Sequence, residues 1–150
     1  MSDLCVGIAA PDFELRDQDG NSVRLSQFRG VSPVVLFFYP KDNTRVCTQE
    51  VCAFGNDYSQ FRDAGAQLFG ISSDSADSHT KFSRKYSLPY PLLADSGGKV
   101  RKLFGVKKTW GLLPGRATFV IDREGIVRHI FSSQFEAGAH VSEALAALRA

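Results

Sequence analysis

The chain has 150 residues, 43% of them hydrophobic and 23% charged, which suits one globular domain spanning 1–150 with its own core and excludes a disordered chain. Its 18 basic and 16 acidic residues nearly cancel, and the densest basic pair, Lys107-Lys108, reads as a solvated loop, so nucleic acid is not expected as a partner. Residues 1–10 show no basic segment followed by an apolar run, and the longest apolar stretch, 34–39, is too short for a bilayer; no secretory signal or membrane association is expected, and the chain reads as cytoplasmic, or as plastid (stroma or thylakoid side) if a transit peptide was removed.

Residues 13–16 and 22–25 alternate apolar and polar around Asp19-Gly20, the pattern of a β-hairpin. Residues 34–38 form a continuous apolar run stopped by Pro40 and predict a strand buried on both faces. Helical spacing of Phe54, Tyr58 and Phe61 predicts a helix over 44–64, ended at Gly65. A second buried strand is expected over 67–72, a helix over 75–86, a short strand at Leu92-Leu93 and a short helix over 97–104. Strands over 118–121 and 126–130 flank a turn at 122–125, and an amphipathic helix over 140–149 closes the chain. Strand–helix alternation in the middle implies parallel pairing, and the last two strands imply an antiparallel edge. An α/β fold follows, with a central mixed sheet, helices on both faces and an N-terminal hairpin; the thioredoxin-like architecture is of this kind.

The three cysteines, Cys5, Cys47 and Cys52, are too few and odd in number for a disulfide scaffold. Thr44, as the N-cap of the predicted helix, places Cys47 in its first turn. Unpaired backbone N–H groups and the positive end of the helix dipole there favour a thiolate, the form that attacks peroxide oxygen. If Cys47 and Cys52 share a regular helix, their Cα atoms lie roughly 8–9 Å apart, beyond the about 7 Å limit for a disulfide. An oxidised form must therefore unwind the first turn, where a helix is weakly held. Spacing alone leaves two inert core cysteines as an equally good account. A structural disulfide fits the spacing poorly, and a zinc site lacks the Cys-x-x-Cys pair or clustered histidines that would complete it.

A longer pattern goes further. Pro40-Lys41-Asp42-Asn43-Thr44-Arg45-Val46-Cys47 continues as Thr48-Gln49-Glu50-Val51-Cys52. Ala10-Pro11-Asp12-Phe13 precedes it, and Pro114-Gly115-Arg116 follows before the strand at 118–121. With these motifs the chain resembles the peroxiredoxins, and within them the Q-type or bacterioferritin-comigratory group, from about Gly7 to the last helix. The resemblance implies a thiol-dependent peroxidase for hydrogen peroxide and organic hydroperoxides. Cys47 would form the sulfenic acid, Cys52 would resolve it as an intramolecular disulfide, and thioredoxin or a related dithiol would reduce that bond. It further implies that Thr44 bonds the thiolate and the peroxide, Pro40 shields the thiolate, Arg116 polarises the peroxide and Glu50 orients Arg116. It implies a monomer and no metal, flavin or haem. Cleaving O–O builds negative charge on the leaving oxygen, which a guanidinium and the N–H groups of Val46 and Cys47 would stabilise.

One departure concerns Val46, where many relatives have glycine. A β-branched residue disfavours positive φ, so the turn is expected to differ slightly. Cys5 reads as a free N-terminal thiol. His79, His129 and His140 read as surface or edge-strand residues. Trp110, Leu112 and Leu113 either wall the site or fill the core, and 74–77 reads as a helix start. Two other functions stay open: a redox sensor using the same switch, and an inactive thioredoxin-fold binding module.

Overall fold

Asp19-Gly20 makes the first turn. Gly20 takes φ 84°, a left-handed conformation open to glycine, and the Asp17 carboxylate accepts from the Asp19 and Asn21 N–H groups. This joins β1 (Glu14–Asp17) to β2 (Ser22–Arg24), paired antiparallel. The computed structural model describes residues 4–106, 115–133 and 136–149. The apolar run forms β3 (Val34–Phe38), with every residue buried.

The helix expected over 44–64 is two helices, α1 (Arg45–Asn56) and α2 (Tyr58–Asp63), broken at Asp57 with φ −101° and ψ 12°. The break falls on Gly55-Asn56-Asp57, three residues of low helix propensity in succession. Next come β4 (Gln67–Ser72) and α3 (Ala76–Tyr86), whose cap Ser75 accepts from the Ser78 N–H at 3.2 Å. Then follow β5 (Leu92–Ala94) and α4 (Lys99–Leu103), the latter entered through a 3-10 turn. β6 (Ala117–Ile121), β7 (Val127–Ser132) and α5 (Ala137–Arg149) complete the chain, α5 starting earlier than 140.

The strands form one mixed sheet in the order β2-β1-β5-β4-β3-β6-β7. β3, β4 and β5 run parallel, and β1–β5, β3–β6 and β6–β7 are antiparallel. The expected thioredoxin-like arrangement is thus present, with the hairpin at one edge and β7 at the other. Strand alternation splits the core in two. Leu36, Phe38, Phe69, Ile71 and Phe119 face Phe104 just after α4 and Phe13 before the hairpin. Val35, Phe37, Tyr39, Leu68 and Val120 face α1, α2, α3 and α5 through Val51, Phe54, Phe61, Phe82 and Leu145.

Phe37 and Phe54 fasten α1 over β3, with ring centroids 4.2 Å apart and planes within 7°. Each buried ring contributes about 1.5–3 kcal/mol by leaving water, and a favourable ring pair about 1 kcal/mol more. Gly70 makes room for this pair: a Cβ there would lie 2.7 Å from the Phe37 ring and 2.8 Å from Leu92. With α1 fixed by its second half, its first turn comes to rest just beyond the C-terminal end of β3.

Candidate active site

Five residues separate β3 from Thr44, and buried polar groups hold them. The Tyr39 carbonyl accepts from Arg101 at 3.3 Å. The Asp42 carboxylate, 4% exposed, accepts from the Tyr39 hydroxyl at 2.6 Å and the Ser78 hydroxyl at 2.8 Å, and lies 2.8 Å from His79 Nδ1. The Asp42 N–H donates to Asp74 at 2.8 Å. Nε2 of His79 faces the Leu93 carbonyl at 3.0 Å, so both ring nitrogens have an acceptor. Asn43 takes φ 64°, a left-handed conformation that asparagine tolerates, and turns the chain into α1.

Thr44 occupies the N-cap position with extended backbone, φ −86° and ψ 157°. Its hydroxyl caps no helix N–H; it donates to the Lys41 carbonyl at 2.9 Å. The first-turn N–H groups, those of Val46 and Cys47 among them, are thereby left open. Val46 lies in the first helical turn and takes no positive φ. The turn needs no glycine at that position, because Asn43 supplies the left-handed step.

Cys47 is 1% exposed and belongs to the core under α1. Nη2 of Arg116 donates to its sulfur at 3.1 Å, and Nη1 of the same guanidinium donates to Glu50 Oε1 in a buried ion pair. Arg116 comes from just before β6. Its planar fork reaches two acceptors one helical turn apart on α1. Burial opposes its charge, but Glu50 and Cys47 more than offset that and hold it above the usual arginine value. Glu50 is fully buried, and burial pushes its carboxyl up to about 7 against the pull of Arg116. Pro40 is half-buried at the end of β3.

Cys52 lies on the same helix as Cys47, half-buried, and all three cysteines are free thiols, Cys5 exposed. Burial raises the Cys52 thiol above its ordinary value, so it stays protonated more readily than a free cysteine. Beside it opens a groove of about 160 Å³ lined by Gly55, Asn56, Tyr86, Leu88 and Pro89. The Tyr90 hydroxyl donates to the Val51 carbonyl at 2.6 Å and pins α1 at a point between its two cysteines.

The histidines depart from the sequence reading. His79 and His140 are 0% exposed; His79 supports the Cys47 loop and His140 packs against Glu50. Only His129 is partly exposed, paired with Glu143 at 2.9 Å. The missed signal was positional: His79 lies on the face of α3 that carries Phe82, and His140 on the face of α5 that carries Ala144. Lys107, Lys108, Trp110, Leu112, Leu113 and Pro114 lie outside the described residues. Among the described residues no three His, Cys, Asp or Glu side chains gather as a metal ligand set, and no helix is long and apolar enough to cross a membrane.

Residues 6–130 match the model of the AhpC/TSA family. The chain is 51% identical over 144 residues to a chloroplastic peroxiredoxin Q of Oryza sativa subsp. japonica, an alignment covering 95% of this chain and 66% of the rice protein. It superposes on the peroxidoxin BcpB of Mycobacterium tuberculosis with a TM-score of 0.89 at 42% identity, covering 97% of each chain. It also superposes on the Xanthomonas campestris bacterioferritin comigratory protein, a structure describing alkyl peroxide reduction, with a TM-score of 0.85 at 32% identity, covering 97% of this chain and 96% of that one. The chain thus spans about two thirds of the length of the plant relative and nearly all of the bacterial structures.

Proposed function

The chain belongs to the AhpC/TSA family and is similar in sequence and fold to peroxiredoxins, and from that premise we propose that it is a thiol peroxidase in which Cys47 reduces hydrogen peroxide and organic hydroperoxides. The observation that carries this reading is the Arg116 fork, which touches the buried Cys47 sulfur at 3.1 Å and is braced from behind by Glu50. The thiolate is the form that attacks, and a guanidinium together with the open N–H groups of a first helical turn supplies partners for its charge.

The thiolate attacks one peroxide oxygen in line with the O–O bond. That oxygen becomes the sulfenic acid, and the other leaves with the bonding pair and takes a proton to become water or an alcohol. Arg116 and the open N–H groups of Val46 and Cys47 face the charge as it moves from sulfur to oxygen, so they stabilise the transition state more than the ground state. Thr44 has committed its proton to Lys41 and serves the peroxide as an acceptor for its O–H. Pro40 keeps water from one side of the thiolate.

Cys52 then attacks the sulfenic sulfur and expels water, leaving a Cys47–Cys52 disulfide. Both residues lie in α1 five positions apart, so this step unwinds the start of the helix. A dithiol reductant of the thioredoxin class reopens the bond, reaching it at the groove beside Cys52. A single chain holds every group this cycle uses, consistent with a monomer. The plant relative is chloroplastic by name, and a reducing plastid or cytoplasmic compartment suits a chain with three cysteines, too few and odd in number for a disulfide scaffold.

The test is to treat the reduced protein with one equivalent of hydrogen peroxide and map its disulfides by mass spectrometry. A Cys47–Cys52 bond in the parent and a trapped sulfenic acid on Cys47 in Cys52→Ser are expected. Slow oxidation of Cys47, or a bond through Cys5, would refute the cycle. Repeated turnover with catalytic thioredoxin separates a peroxidase from a redox sensor, which would be oxidised once and wait for its partner.

A further inference from the structure

Glu50 has an oxygen that the scheme above leaves unused. Oε1 belongs to Arg116, but Oε2 is buried without a hydrogen-bond partner among the described residues. It lies 3.5 Å from Nδ1 of His140, a residue of α5 as fully buried as Glu50 itself. A buried carboxylate oxygen without a donor is costly; a proton on it, or on the nitrogen facing it, removes that cost.

The surroundings of His140 allow either position. Its Nε2 lies 2.8 Å from the Ser133 carbonyl, which can only accept, so Nε2 carries a hydrogen. Its Nδ1 lies 2.7 Å from the Thr118 hydroxyl, which donates to a bare nitrogen or accepts from a protonated one. The ring is satisfied as imidazole and as imidazolium. Among the described residues, the other titratable or charged groups near the pair are Arg116 ahead of β6, which also touches Cys47, Tyr90 before β5 and Glu136 ahead of α5. The Phe131 ring from β7 meets the imidazole edge to face, with centroids 4.8 Å apart.

The charge of this dry site decides when the proton is held. With Cys47 a thiolate, Arg116 charged and Glu50 ionised, the three carry one net negative charge. One proton on Glu50 or His140 brings the site to neutrality. Once Cys47 is a neutral sulfenic acid, Arg116 and an ionised Glu50 cancel, and the same proton becomes an excess charge in a low-dielectric site. We infer that Glu50 and His140 jointly hold one proton while Cys47 is a thiolate and yield it to the leaving oxygen when the sulfenic acid forms, which makes His140 a positioning residue of the peroxidase step.

The step balances. Thiolate, hydroperoxide and the pair's proton become sulfenic acid and alcohol, or water when the substrate is hydrogen peroxide. Two electrons pass from sulfur to the O–O bond, and the pair is left as a carboxylate beside a neutral imidazole. Burial pushes the His140 ring below its ordinary value, so the stored proton resides mainly on Glu50. The inference rests on the peroxidase reading and adds the source of the proton.

The experiment uses Cys52→Ser, in which oxidation stops at the sulfenic acid. Reduced protein is mixed with hydrogen peroxide in weakly buffered indicator solution near neutral pH, and proton uptake is counted against sulfenic acid formed. The Glu50-containing protein is expected to take up well under one proton per sulfenic acid, and the same protein with Glu50→Gln about one. Infrared difference spectra should show a protonated-carboxyl stretch lost on oxidation and absent from Glu50→Gln. In His140→Phe that band should shift in frequency, because the polar nitrogen facing the carboxyl at 3.5 Å is gone. Equal proton uptake with and without Glu50, or no carboxyl band lost on oxidation, overturns the inference while leaving the peroxidase reading intact. No sulfenic acid on Cys47 overturns both.

Discussion

Replacing Arg116 by methionine removes the cation from the Cys47 sulfur while keeping an unbranched side chain in a buried slot. The guanidinium stands 3.1 Å from the sulfur, where two full charges attract by about 5 kcal/mol at an effective dielectric constant near 20. Part of that attraction acts on the thiolate before reaction and part on the leaving oxygen during it. Only the second part accelerates the chemistry, and the loss of one well-placed donor is worth about 2.7–4 kcal/mol. The second-order rate constant for Cys47 oxidation should fall by about 10²–10³, measured by stopped flow or by competition for limiting peroxide. Arg116→Lys keeps the charge but cannot span both the sulfur and Glu50, so its rate should fall between those of parent and Arg116→Met. Because Arg116→Met also strips Glu50 of its partner, the double variant with Glu50→Gln serves as the folding control. A rate for Arg116→Met within about threefold of the parent, in protein shown to be folded, would refute the assignment of charge stabilisation to this residue.

Other consequences concern stability and the helix that must unwind. Glu50 holds its proton up to about 7 in the folded chain against an ordinary 4.5. The folded state therefore binds more protons than the unfolded state between those values, and this group's contribution to stability falls as pH rises through that window. Glu50→Gln removes the slope, so its stability relative to the parent should improve between about pH 5 and pH 8, by at most about 3 kcal/mol; urea curves that stay parallel across the range would contradict this. Tyr90→Phe deletes the hydrogen bond to the Val51 carbonyl, worth about 1 kcal/mol, and should speed Cys47–Cys52 disulfide formation roughly fivefold by quench-flow mass analysis. An unchanged or slower rate would show that unwinding does not reach Val51. His79→Leu removes the imidazole contact from the buried Asp42 carboxylate and should cost about 1.5–3 kcal/mol by urea denaturation, whereas a loss under about 0.5 kcal/mol would mean that the pair does not hold the loop.

What the sequence determined by itself was local. Apolar runs and alternation placed β3, β4, β6 and the hairpin within a residue or two, because side-chain period and strand geometry are the same fact. The start of α1 was legible from Pro40 and Thr44, and with it the exposure of Cys47 to unpaired N–H groups. The distance argument for Cys47 and Cys52 needed only helix geometry, and the site residues Thr44, Glu50 and Arg116 came into view together through the family pattern. The sequence missed the break at Asp57, since the apolar spacing continued through Gly55-Asn56-Asp57 and masked their weak propensity.

Tertiary structure decided the partners. Arg116 is 69 residues from Cys47, and only the antiparallel pairing of β6 beside β3 brings it over α1. The polar histidines looked incidental because a buried imidazole and an exposed one read alike in a sequence. Asp42 and His79 meet across 37 residues, and Glu50 meets His140 only because α5 packs on α1. Local propensity is fixed by a residue and its neighbours in the chain. A buried charge is fixed by whichever groups the fold places within a few ångströms, and these come from distant segments.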